Sequence, residues 1–184
     1  MEITRETVRI SLFILGPLVL ASYVIGISRM GDPTQLWGGI PDSWRTLNVT
    51  CMFIAAAGFL IMFWFVLYHW DSSAVESIQW PWGEGDEGGH MRLLISLLLV
   101  LIPSMCWLEL TSYHISSGST LSQWLVIGNL WLVCLGNVLL GLLAWGAHQQ
   151  GIATDTIWPI VGAVMLALQV VGNDGIIWVI KYPW

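Results

Sequence analysis

RLLISLLLVLIPSMCWLELTSYH, residues 92–114, is the stretch whose reading decides the fold. From Leu93 to Leu108 no side chain is charged, and the run is apolar all the way round rather than on one face. A helix of a soluble domain keeps a polar face toward water. A helix that crosses the hydrocarbon core instead needs roughly 20 apolar residues in succession. Residues 92–114 therefore read as a transmembrane helix.

Four other runs of the same kind flank it. Upstream lie Val8–Ser28 and Thr46–His69; downstream lie Ser122–Ala147 and Thr156–Ile180. Between them stand turn formers, including Gly31-Asp32-Pro33, Gly38-Gly39-Ile40-Pro41-Asp42 and Trp80-Pro81-Trp82-Gly83. The expectation is an all-α protein, a polytopic membrane bundle of five transmembrane helices forming one integral domain over residues 1–184. The first run is about as long as a full span and has no clear small-residue cleavage site after it, so it reads as a retained helix.

Composition agrees. Only 10% of residues are charged and the mean hydropathy is +0.73, whereas about a quarter of a soluble domain is charged. The net charge is −6, with six Lys and Arg in all. Phosphate binding needs clustered cations, so nucleic acid is excluded as a partner. Cys51, Cys106 and Cys134 fall inside apolar runs without a CxxC pair and read as packing.

Tryptophan favours membrane interfaces, where its ring is buried and its N–H stays wet. With the N-terminus on side one, Trp64, Trp70, Trp80, Trp82, Trp145 and Trp158 fall near side one. Trp37, Trp44, Trp107, Trp124, Trp178 and Trp184 fall near side two, and Trp131 alone lies well inside. Arg5, Arg9 and Arg92 on side one balance Arg29, Arg45 and Lys181 on side two, so the positive-inside rule does not decide the orientation. Gly16-Pro17 and Pro103 are expected to kink the first and third spans. Ala55-Ala56-Ala57-Gly58, Ala163/Ala167, Gly128, Gly136 and Gly141 are expected to let backbones approach.

The polar residues within the spans carry what functional information there is. Glu109 and Asp174 sit deep in two helices that run the same way, at similar depth toward side two. Asn48, Asn129, Gln169 and Asn173 lie in the same half, beneath Arg29, Arg45, His114 and Lys181. A charge at mid-membrane costs about 2.5–3.5 kcal/mol on insertion scales, which makes each one a functional candidate by default. One reading is a polar vestibule in which Glu109 and Asp174 bind a proton, cation or ligand. The other is structural hydrogen bonding, with a carboxyl paired to Arg45, Lys181 or an interfacial water, or simply reaching the headgroups. On the first, the chain acts as a small channel, transporter or ligand-binding protein through Glu109, Asp174, Asn173, Asn129, Asn48, Gln169 and Arg45. The alternative is a non-catalytic subunit of a larger membrane complex. Partners are membrane lipids, with a second copy or other membrane subunits as further candidates.

Glu84, Asp86, Glu87 and His90 form a weak metal candidate, lacking the alternating spacing of a calcium loop. His69, His90 and His148 sit at helix ends, unlike haem ligands facing each other across a bundle. The sole lysine, Lys181, lies at the chain end, away from where a retinal Schiff base would form. No HExxH or Ser-His-Asp pattern is present, so the expectation leans away from an enzyme, and no cofactor is indicated. In length, helix number and abundance of tryptophan, with Asn129-Leu130-Trp131 as the nearest local echo, the chain resembles the tryptophan-rich sensory (translocator) proteins, which bind porphyrins and sterols. It lacks that family's wider Trp/Pro pattern, and no binding residue carries over.

Overall fold

The computed structural model describes residues 3–83 and 87–184, and among these the regular structure is entirely helical. α1 spans Arg5–Arg29; a 3-10 turn over Pro33–Trp37 follows. α2 (Asp42–Trp64) continues as a π turn, Phe65–His69, and α3 is the short Ser72–Glu76. α4 covers Gly89–Ser117 and α5 covers Thr120–Gln150. α6 (Ile157–Ala167) runs without a break into a π-helical segment, Leu168–Trp178, and ends in α7 (Val179–Lys181). Among the described residues five helices, Arg5–Arg29, Asp42–His69, Gly89–Ser117, Thr120–Gln150 and Ile157–Lys181, are long and apolar enough to cross a membrane. All five expected runs are helical, and each extends at one or both ends into the polar flanks that the apolar count left out.

The helices are arranged as an open arc. α1 packs on α4, α4 on α5, α5 on α6 and the π segment, and α6 on α2. The α2–α6 seam is tight because Gly58 and Gly162 lie back to back. A Cβ on either would run into the carbonyl oxygen of the other. Such contact gains dispersion energy where apolar surroundings supply no hydrophobic drive between helices. α1, at the other end of the arc, is the outlier: 6% of its most apolar window is buried, against 44% for α5.

At side one, α1 is tied to α2 by its two arginines. Arg9 Nε donates to the Leu67 carbonyl at 3.0 Å, its guanidinium lies 4.6 Å over the Tyr68 ring, and Arg5 donates to the Trp70 carbonyl. Cationic donors on the carbonyls of a helix C-terminus satisfy groups that the helix itself cannot. Arg5 and Arg9 thus hold two helices together, a role separate from any bearing on membrane orientation.

At side two, Trp178 Nε1 donates to the Leu36 carbonyl at 2.8 Å, and its ring packs 4.4 Å from that of Tyr182. Ile40, Val126 and Leu130 complete this small second core. Burial there pushes the Tyr182 phenol above its ordinary value. The 3-10 turn is capped by Asp32, which accepts from the Thr34 hydroxyl at 2.6 Å and the Thr34 amide at 3.0 Å. Those bonds hold its carboxyl below the usual range.

Candidate functional site: a laterally open cavity with a polar floor

Because the arc does not close, a cavity of about 1030 Å³ lies between α1 and α2. α1 contributes Leu12, Gly16, Val19 and Tyr23; α2 contributes Ala55, Ala56, Phe59 and Phe63. Val100, Leu101, Ser104 and Trp107 of α4 form the back wall, with Leu130 and Val133 of α5. Its rim carries Phe13, Leu20, Phe53, Leu60 and Trp64, each more than half exposed on the outer surface. The volume is at the upper end of the range for small-molecule sites, which are mostly apolar with a few placed polar groups.

Those polar groups come from the π segment. Gln169 and Asp174 line the cavity, and Gln169 is the hub of a hydrogen-bond chain. Its Nε2 donates to Asp174 Oδ1 at 2.8 Å and to Asn48 Oδ1 of α2 at 3.2 Å. Its Oε1 accepts from Asn173 Nδ2 at 3.1 Å. The π geometry makes this possible. An α-helix stacks i with i+4 and carries i+5 round the cylinder; the wider i→i+5 turn sets i+4 and i+5 on either side of i. Asn173 and Asp174 can therefore both reach Gln169. Asn48 and Gln169 are 7% and 5% exposed, so their mutual bond also satisfies two amides that would otherwise be costly to bury.

The π segment is itself supported from α5. Trp131 Nε1 donates to the Gly175 carbonyl at 3.3 Å, and Cys134 Sγ donates to the Val170 carbonyl at 3.2 Å. Gly175 faces Cys134 so closely that a Cβ would strike the sulfur. π turns inside longer helices often occur at functional sites, and here the turn aims an amide and a carboxyl into an apolar space.

Four of the seven candidates thus converge: Asn48, Gln169, Asn173 and Asp174. Asn129 is buried elsewhere, with Nδ2 donating to the Pro103 carbonyl at 2.9 Å across α4 and α5. Glu109 does not join Asp174. It lies on the outer surface of α4, 3.4 Å from Arg29 of α1, with both side chains more than half exposed. Its partner is neither Arg45 nor Lys181. Arg45 pairs with Asp42 at 2.7 Å and sits over the Trp37 ring.

Glu84 and Asp86 lie outside the described residues. Glu87 is exposed; His90 is buried and paired through Nδ1 with Glu76, whose carboxylate also accepts the His90 amide at 3.2 Å. His69 meets Asp155 at 3.2 Å, and His148 meets the Thr156 hydroxyl at 2.9 Å. Each of these histidines has its own partner, and among the described residues no three His, Cys, Asp or Glu converge as a metal group would require.

Nothing in the sequence marks Trp131 and Cys134 as supports of the site, or the aromatic residues as its lining. The one available signal is the spacing Gly172-Asn173-Asp174-Gly175, two glycines around two polar residues inside an otherwise apolar span. No protein-family model, curated protein or solved structure matches the chain.

Proposed function

We propose that this chain is an integral membrane protein that binds a lipid-soluble small molecule in the cavity between α1 and α2. The ligand enters sideways from the bilayer and is anchored by Asp174 on the polar floor. One observation carries the reading: a large apolar space that opens on the outer surface and has a carboxyl–amide cluster at its base. The five long apolar helices and the exposed Phe13, Phe53 and Leu60 at the rim support a bilayer setting. In hydrocarbon, such a rim carries no penalty, and an apolar solute crosses it without passing through water.

The test is photolabelling of the purified protein in lipid nanodiscs with a diazirine-bearing alkyl probe. Labelling is expected to saturate and to concentrate on cavity residues such as Phe59, Leu101 and Val133, with an excess of unlabelled probe removing it. Non-saturable labelling spread evenly over outward residues such as Leu125 and Leu132 would overturn the proposal. A chain that labels in the cavity only after co-purified subunits are stripped away would favour a structural subunit whose partner fills the gap.

A further inference from the structure

The ligand class follows from the donors and acceptors left over at the floor, given the binding role proposed above. Both N–H groups of Gln169 are spent, one on Asp174 and one on Asn48, and its oxygen is taken by Asn173. Asp174 receives a single hydrogen bond among the described residues, on Oδ1. Its Oδ2 is left over, on a residue of the cavity lining. The floor therefore offers an acceptor with carboxyl character. Of the hydroxyls in the lining, that of Ser104 is already committed to the Val100 carbonyl at 2.6 Å, and Tyr23 and Tyr68 add phenol hydroxyls. Trp107 contributes its ring, while its Nε1 is buried without a partner beneath the surface. Among the described residues no Lys, Arg or His lines the cavity, so its lining offers an anion no counter-charge.

The walls point the same way. Tyr23, Phe59, Phe63, Phe65 and Trp107 line the space with aromatic rings, Tyr23 and Trp107 packed together at 6.1 Å, while the Tyr68 ring at the side-one end already carries Arg9. A ring face attracts a cation within about 6 Å of its centroid, by about 2 kcal/mol or more when water is excluded. An acid on the floor and rings on the walls suit a compact positive charge on an apolar body. We infer that the cavity selects lipophilic ammonium ions, with the ammonium N–H donating to Asp174 Oδ2 and the hydrocarbon body against the aromatic walls.

A matched pair of competitors tests this: 6-phenylhexylamine and 6-phenylhexan-1-ol, which share the apolar body and differ in the charged donor. Each is titrated against the saturable photolabelling in phosphatidylcholine nanodiscs, whose net-neutral surface does not concentrate the amine. In the unmodified protein the amine is expected to displace the probe at a concentration at least tenfold lower than the alcohol. In Asp174→Asn that preference disappears, and a circular dichroism spectrum and size-exclusion profile matching the parent's show that the variant is folded. Asp174→Glu keeps the carboxyl and retains part of the preference. Equal displacement by amine and alcohol in the unmodified protein, or a preference that survives Asp174→Asn, overturns the cation assignment and leaves the binding role standing. Saturable labelling that neither compound displaces overturns the ligand class. An absence of saturable labelling overturns the binding role beneath it.

Discussion

The two flanks of α2 differ in one respect that organises the whole molecule. Toward α6, glycine meets glycine and the backbones touch; toward α1, alanines and phenylalanines face an open space of about 1030 Å³. Ala56 and Gly58 are neighbours but one on the same helix and belong to opposite situations. In an apolar bundle, side-chain size at a seam decides between contact and cavity, because every face is equally hydrophobic. Shape replaces polarity as the sorting rule.

The largest expected effect breaks the closed flank. Gly58→Leu forces the α2 and α6 backbones apart, and overpacking of this kind costs about 1–3 kcal/mol or more. Thermal unfolding in detergent should register a large loss. Ala56→Leu, on the open flank, should leave the melting temperature nearly unchanged while reducing photolabelling in the cavity. Equal destabilisation by both would mean that the two flanks are packed alike.

Next in size is the floor. Gln169→Leu removes the donor to Asp174 and strands Asn48 as well. Leaving buried polar groups unpaired costs about 1–3 kcal/mol each, so chemical denaturation should show a loss of about 2–3 kcal/mol. Gln169→Glu, which keeps acceptors but places a second carboxyl beside Asp174, should be no better. A Leu variant as stable as the parent would mean that the chain of amides is not holding the π segment.

A smaller effect is expected from its support. Trp131→Phe keeps an aromatic ring and deletes the N–H that reaches the Gly175 carbonyl, a loss of about 1 kcal/mol. Hydrogen exchange of amides in Leu168–Trp178 should quicken, with α4 unaffected. Uniform protection before and after the change would separate Trp131 from the π geometry.

The smallest effect belongs to Glu109→Gln. Its ion pair with Arg29 is exposed, and exposed pairs contribute about 0–1 kcal/mol. Stability and ligand displacement should both stay within experimental error. A marked loss of displacement would place Glu109 in the binding path and refute its assignment to the outer surface.

The five spans were legible because an apolar run of twenty residues is a property of composition, and composition survives without knowledge of neighbours. The depth of Asn48, Gln169, Asn173 and Asp174 was legible for a similar reason, since the rise along a helix is fixed. Direction around the helix was not. Glu109 and Asp174 match in expected depth, yet Glu109 turns outward from α4. With polar residues so sparse and apolar ones on every side, no periodicity marks an inner face. The π segment was hidden more deeply: its wider turn changes which residues share a face, and Gly172 and Gly175 read equally well as a packing surface. The open flank of α2 depends on α1 leaning toward α4 through contacts such as Gly26 against Leu108, which lie far apart in sequence and leave no local trace.

The opening between α1 and α2 also bears on how potency would scale with ligand structure. A solute that reaches Asp174 from within the bilayer is first concentrated there by partitioning, so its potency in water combines two equilibria. Each added methylene favours the bilayer by about 0.8 kcal/mol, roughly fourfold, before any protein contact is made. Within a homologous series, potency referred to aqueous concentration should therefore climb with chain length even where the bound pose is constant. Referred to mole fraction in lipid, the same series should be flat. Added empty lipid should act as a competitor, drawing ligand away in proportion to its volume.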